Sequence, residues 1–259
     1  MLPELFKLGP FTLHSFGLMM ALSFLVAVLM AAPEFTRRGM DSEQANETGL
    51  GAMIGGVSGA KLYYILDHLK DFQADPRGLI FSGAGLTWYG GLLGGALGAL
   101  LVAHWRKIPL LTLCDIAAPL LPLSYAVGRF GCFLNGDDYG RVSNVPWAMA
   151  FPKGAPPTLE RVHPTQVYEV FAGLLMFAFL NSLKVRLQGR VGALFGLYLI
   201  LAGIERFIVE YFRTNAPQAW GITMAQTISL VLIVLGGWIY SRARGTQLRS
   251  GAAVPQASA

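Results

Sequence analysis

Seven apolar stretches, each near the roughly 20 residues a helix needs to cross a bilayer, follow one another with only short polar breaks. They cover approximately 13 to 33, 47 to 66, 86 to 104, 109 to 127, 166 to 183, 191 to 211 and 222 to 241. In lipid every backbone polar group must be paired internally, so runs of this length read as transmembrane helices. The expected fold class is therefore all-α: a polytopic membrane protein of about seven transmembrane helices. Composition agrees, with 54% hydrophobic and 14% charged residues against about 25% charged in soluble domains.

An odd number of spans puts the termini on opposite sides. Arg37-Arg38, Arg106-Lys107, Lys184/Arg186/Arg190 and the tail residues Arg242/Arg244/Arg249 all fall on one side, which the positive-inside rule makes cytoplasmic. The N-terminus, the loop 67 to 85 and a long segment of about 128 to 165 then lie outside. That long segment mixes Arg129, Arg141, Lys153 and Arg161 with Asp137, Asp138, Glu160, His163 and prolines, as expected of a folded head between helices four and five rather than a tether. Residues 1–244 read as one integral-membrane domain and 245–259 as a disordered cytoplasmic tail.

The first run, 11 to 32, lacks a basic leader and exceeds the roughly 7–15 apolar residues of a signal-peptide core, so it reads as a mature helix. The net charge of +5 comes without a basic patch interleaved with aromatics, and no nucleic-acid partner is expected. Cys114 and Cys132 show no spacing for a metal site or disulfide framework, and neither a metal nor a cofactor is expected. Glycines at 51, 55, 56 and 59, and at 90, 91, 94, 95 and 98, suit close helix packing in lipid.

Ionisable residues inside such runs need another account, because each costs about 2.5–3.5 kcal/mol at bilayer depth even on insertion scales. Arg206, Glu210 and Arg213 fall at i, i+4 and i+7 in the run 191 to 212, on one stripe of a helix. Glu210 suffices to neutralise Arg206 one turn away; alternatively the stripe faces a polar ligand. The Gly-rich segment Gly128-Arg129-Phe130-Gly131-Cys132-Phe133-Leu134-Asn135-Gly136-Asp137-Asp138-Tyr139-Gly140-Arg141 follows the fourth span. It carries more charge than a helix cap and turn require, which favours a ligand site. Guanidinium groups bind phosphate through paired hydrogen bonds, so Arg129 and Arg206 are candidates for a phospholipid head group. His163-Pro164-Thr165-Gln166-Val167-Tyr168-Glu169 opens the fifth span, with Thr165 expected to cap it. His14 and Tyr89 lie just inside the first and third spans near the outer interface, and Asp115 reads as structural, placed at a helix N-terminus where the dipole favours it.

Together these segments resemble the prolipoprotein diacylglyceryl transferase family of bacterial inner membranes. The likeness rests on His14-Ser15-Phe16-Gly17-Leu18, Gly85-Leu86-Thr87-Trp88-Tyr89-Gly90-Gly91, the Gly128 to Arg141 signature, His163 to Glu169, Arg206-Phe207-Ile208-Val209-Glu210-Tyr211-Phe212-Arg213, and Gln226. It implies a seven-helix body with an outer head and transfer of an sn-1,2-diacylglyceryl group from phosphatidylglycerol to the lipobox cysteine of prolipoproteins, with release of glycerol 1-phosphate. It also implies Arg129 and Arg206 as binders of the phosphatidylglycerol head, Glu210 in the same polar cavity, and His14, Asn135, Asp137, Gly140 and Gln226 at further motif positions. This chain departs from the family pattern in having Phe16 for tyrosine, Tyr89 for histidine, Cys132 for asparagine and Asp137 for glutamate.

A thiol with a reference pKa of about 8.5 attacks as the thiolate. Arginine charge would favour that form and stabilise the departing phosphate, with Tyr89 orienting the substrate or relaying a proton. Cys132 is either a small replacement for asparagine or a covalent acceptor. The rival readings are a transporter, which repeated halves and broken helices would mark, and an inactive lipid-binding relative of the transferases.

Overall fold

The computed structural model describes residues 1–8, 11–81, 87–215 and 221–243; the tail 245–259 and the pair Gly85-Leu86 lie outside the described residues. Two antiparallel strands, β1 (Glu4–Leu8) and β2 (Phe11–His14), lead directly into helix α1 (Ser15–Arg37). There follow α2 (Glu43–Asp67), the short α3 (Leu69–Ala74) and α4 (Pro76–Phe81), α5 (Trp88–Trp105) and α6 (Leu110–Asn135). A second antiparallel pair, β3 (Met149–Phe151) and β4 (Thr158–Val162), precedes α7 (Thr165–Leu183), α8 (Ala193–Glu210) and α9 (Met224–Arg242).

Each of the seven apolar runs is a helix of 18 residues or more. Four of them, α1, α6, α7 and α9, are long and apolar enough to cross a membrane. Large apolar side chains point outward along these helices, with Leu175 71% and Val234 72% exposed, an arrangement that suits hydrocarbon and not water. The fold is helical, as expected of a membrane protein, with the two small hairpins as additions that its apolar periodicity did not announce.

Helix α6 runs eight residues past the expected end of the fourth span, through Gly128 and Gly131. Glycine is kept there by packing: a Cβ on Gly131 would meet the Met19 side chain of α1 at 2.8 Å. The stop comes instead at Gly136, whose φ of 76° is left-handed and whose N–H donates to the Cys132 carbonyl at 2.8 Å, a glycine C-cap. Between α2 and α5 the glycines are in register: a Cβ on Gly55 would strike the Gly94 carbonyl oxygen, and one on Gly98 the Gly51 carbonyl oxygen. That pair is the tightest backbone approach the sequence pattern called for.

The helix ends bearing Arg37, Arg38 and Arg106 gather at one end of the bundle. There Phe35, Ala45, Ala103, Ile108, Leu113 and Ile116 form a buried cluster. Buried Glu34 is paired with Arg37, with Arg38 at 3.1 Å and with Lys184 at 3.7 Å. Asp115, 2% exposed, accepts from the backbone N–H groups of Gly192 at 2.7 Å and Phe195 at 2.9 Å. It therefore caps α8, not its own helix, satisfying two of the donors that a helix start leaves free. The starts of α1, α5, α7 and α9 and the ends of α6 and α8 lie at the opposite end.

Candidate functional site

The opposite end is where the charges meet. Arg129, nearly two turns before the end of α6, donates from Nε to the Tyr125 hydroxyl at 3.0 Å and from Nη1 to Asp138 Oδ2 at 2.6 Å. Its Nε also lies 3.2 Å from Oε2 of Glu169 on α7, a side chain with 0% exposure. Tyr125, one turn earlier on α6, donates to Glu169 Oε1 at 2.7 Å. Arg213, just beyond α8, donates to the other Asp138 oxygen at 2.8 Å and lies 3.8 Å from Glu169. Asp138 thus holds one guanidinium on each carboxylate oxygen, and Glu169 backs both arginines from within.

Burial works against ionisation of Asp138, but the Arg213 and Arg129 charges outweigh it and hold this carboxyl below its ordinary value. Asp138 is in the left-handed region at φ 60°, a conformation that aspartate tolerates better than most residues. Thr165 helps to hold it there. Its hydroxyl donates to the Asp138 carbonyl at 2.8 Å, so Thr165 ties the loop to α7, and the expected N-cap of α7 is instead Pro164, without a side-chain cap. The Gln166 amide bonds the Asp137 carbonyl, and Asn135 Nδ2 donates to Asp137 Oδ2 at 2.6 Å. Cys132 Sγ is 3.9 Å from Arg129 Nη1.

The segment 136–164 is folded onto this cluster. Gly140 N–H donates to the His163 carbonyl and Arg141 N–H to the Phe212 carbonyl, both at 2.8 Å. A Cβ on Gly140 would strike that Phe212 oxygen, so only glycine permits the approach. Trp147 Nε1 donates to the Tyr168 hydroxyl at 2.7 Å, and the same hydroxyl is 3.0 Å from His163 Nδ1.

A second polar group sits between α8 and α9. Arg206 Nη2 is 2.8 Å from Glu210 Oε2, and Glu210 Oε1 accepts from Asn215 at 2.9 Å. Next to it a cavity of about 160 Å³ is lined by Arg141, Glu210, Tyr211, Asn215, Gly221, Thr223 and Gln226. Thr223 and Gln226 form a capping box at the start of α9, with Gln226 Oε1 accepting from Thr223 N–H at 3.0 Å.

Residues 3–242 match the family described as prolipoprotein diacylglyceryl transferase. The chain belongs to the prolipoprotein diacylglyceryl transferase family. It is 37% identical over 254 residues to the phosphatidylglycerol–prolipoprotein diacylglyceryl transferase of Vibrio vulnificus, covering 93% of this chain and 92% of that protein. The protein of the same description from Pasteurella multocida is 36% identical over 248 residues, covering 92% and 90%. That of Trichormus variabilis is 32% identical over 256 residues, covering 93% and 91%.

Of the residues that family likeness singled out, Arg129, Asn135 and Asp137 lie together at the end of α6, and Arg206, Glu210 and Gln226 at the α8–α9 crossing. His14 and Tyr89 are exposed, His14 closing β2 and Tyr89, 53% exposed, at the start of α5. The stripe expected of Arg206, Glu210 and Arg213 divides because α8 ends at Glu210: Arg206 pairs with Glu210, and Arg213 turns to Asp138. Of three further participants, Glu169 belongs to the His163–Glu169 block and was not accounted for by capping, while Tyr125 and Glu205 were not singled out from sequence. Tyr125 carried no signal beyond being a tyrosine in an apolar run. Glu169 was visible as a charge one turn into α7. Glu205 carries the same desolvation cost that drew attention to Arg206 beside it.

Proposed function

We propose that this chain transfers the sn-1,2-diacylglyceryl group from phosphatidylglycerol to the lipobox cysteine thiol of prolipoprotein signal peptides, releasing glycerol 1-phosphate, as the first step of lipoprotein maturation in a bacterial inner membrane. All seven long helices span the bilayer, the N-terminus and the 136–164 head face outward, and the basic end with Arg37, Arg106 and Lys184 faces the cytoplasm. The domain is 1–244, with 245–259 as a cytoplasmic tail.

The observation that carries this reading is the clasp of one oxyanion by two guanidiniums: Asp138 held by Arg129 and Arg213 at 2.6 and 2.8 Å. A phosphodiester has the same charge and the same pair of acceptor oxygens. In this reading the head-group phosphate displaces the half-exposed Asp138 carboxylate and is held by Arg129, with Arg206, fixed by Glu210, on the glycerol side. Asn135, Asp137 and Gln226 supply hydrogen bonds to the glycerol hydroxyls. His14 and Tyr89, at the same end of the bundle, orient the incoming substrates from the lipid-facing side. The thiolate attacks the sn-3 carbon, and the guanidiniums stabilise charge building on the departing phosphate, where a fixed donor is worth about 2.7–4 kcal/mol.

Purified protein in phosphatidylglycerol vesicles is expected to add one diacylglyceryl mass to a lipobox peptide and to release glycerol phosphate. An unmodified peptide, under conditions in which the Vibrio vulnificus relative modifies it, would refute transfer and favour a lipid-binding relative without activity.

A further inference from the structure

The reaction needs an acceptor for the thiol proton, and most carboxylates near the arginines are already engaged. Asp138 is shared by Arg129 and Arg213. Glu169 takes the Tyr125 hydroxyl and faces Arg129. Glu210 takes Arg206 and Asn215, and Asp137 takes Asn135 through Oδ2, with its Oδ1 buried and without a hydrogen-bond partner. Glu205 differs. Among the described residues its carboxylate makes no hydrogen bond or ion pair, and its Oε1 is buried without a partner.

Position distinguishes it as well. Glu205 lies within electrostatic reach of Glu169, Arg206, Arg129 and Arg213, and Tyr125 and Tyr198 feel its charge. It precedes Arg206 by one residue, which on a helix is a rotation of about 100°. Arg206 pairs with Glu210, and Glu205 occupies a different face of α8. The charges acting on it thus come from both polar groups of the site, Arg206 from one and Arg129, Arg213 and Glu169 from the other. A buried ionisable oxygen left without a partner is costly, and such groups concentrate where chemistry uses them.

We infer that Glu205 is the general base of diacylglyceryl transfer, an assignment that rests on the function proposed above. Its carboxylate takes the proton from the lipobox thiol. The resulting thiolate forms the C–S bond at the sn-3 carbon as the bond from that carbon to the phosphate oxygen breaks. Glycerol 1-phosphate departs with the electron pair, and the proton on Glu205 passes to its phosphate. Tyr89, on the separate α2–α5 pair, orients substrate and accepts no proton.

The test uses full-length enzyme in phosphatidylglycerol vesicles with two lipobox peptides, one carrying cysteine and one selenocysteine, whose selenol is already ionised at neutral pH. With cysteine, Glu205→Gln is expected to lower kcat by about 10²–10⁴-fold, the range for loss of a general base, with KM for phosphatidylglycerol little changed. With selenocysteine the deficit is expected to fall below about tenfold, since no base is then required. Glu205→Asp is expected to keep intermediate activity and the acid limb of the pH–rate profile. Full activity of Glu205→Gln on the cysteine peptide, or an equal deficit on both peptides, overturns the assignment. Should Glu205→Gln fail to fold, Glu205→Asp carries the comparison: slowing confined to the cysteine peptide supports the base, and equal slowing overturns it. Wild-type enzyme inactive on the cysteine peptide would instead overturn the transferase reading.

Discussion

Replacing Arg129 by alanine separates the two reasons a buried arginine can have. The change strips Glu169, which has 0% exposure, of a cation at 3.2 Å, and breaking such a buried pair costs about 3–5 kcal/mol. Arg213 remains 3.8 Å from the same carboxylate, which places the loss near the lower figure. Asp138, with a side chain 44% exposed, rehydrates and adds little. The expected destabilisation is therefore about 3 kcal/mol, read by denaturant unfolding in detergent micelles. Turnover is expected to drop about 10²–10³-fold as a transition-state donor is lost. The double variant Arg129→Ala/Glu169→Gln removes both charges, and its stability should return to within about 1–2 kcal/mol of wild type. Its activity should not return. Recovery of turnover together with stability would refute the reasoning, because Arg129 would then serve only to neutralise Glu169.

Other substitutions test the packing and the charges separately. Gly94→Val drives a side chain into the Gly55 carbonyl and should cost at least about 1–3 kcal/mol, whereas Gly237→Ala, with open space at its Cβ, should stabilise α9 by roughly 0.5–1 kcal/mol; thermal unfolding in detergent ranks the two. Asp115→Ala abandons the Gly192 and Phe195 N–H groups and should cost about 2–4 kcal/mol by the same measurement, with Asp115→Asn costing less. For Asp138 the folded value is the depressed one, so its stabilising contribution is complete above the ordinary aspartate value of about 3.9. That contribution disappears as pH falls through the lower folded value. The stability difference between wild type and Asp138→Asn should stay level from neutral pH down to about 5 and shrink in more acid solution; a difference that grows on acidification would refute the clasp.

Apolar run length located all seven long helices, four of which are long and apolar enough to cross a membrane, where the roughly 20-residue requirement acts on each helix alone. Helix ends were less legible. The sequence around Gly128 and Gly131 reads as a helix terminator, yet α6 runs through both: Gly131 lets α1 pack close at Met19, a tertiary fact that no local pattern encodes, and a Cβ on Gly128 would meet nothing within 4 Å. The same limit applies to Thr165, whose hydroxyl found the Asp138 carbonyl 27 residues away and not a nearby N–H. In the site, Arg206 and Glu210 were visible as charges within an apolar run, and Arg129 from its setting in the signature. How the charges sort into two groups was not visible, since that follows from α8 stopping at Glu210. Strands β3 and β4 are three and five residues long, too short for alternation to be read.

The arrangement of small residues bears on why so much charge is kept. Each principal helix pair already has a close contact made by glycine. Gly55 meets Gly94 between α2 and α5, Gly131 meets Met19 between α6 and α1, Gly173 meets Pro122 between α7 and α6, and Gly196 meets Gly236 between α8 and α9. Such contacts are the ordinary means of holding helices together where lipid removes the hydrophobic drive. Buried Ala118, Leu180 and Leu194 pack together from α6, α7 and α8, so the ion cluster is not required to join those three helices. A cluster kept only for adhesion would also be expected to pair every charge, because an unpaired buried carboxylate costs more than a missing one. The buried oxygens Asp137 Oδ1 and Glu205 Oε1, both without a hydrogen-bond partner, violate that expectation. Packing explains how these helices meet; on the function proposed above, the arginines serve the phosphate of phosphatidylglycerol and Glu205 the proton of the incoming thiol.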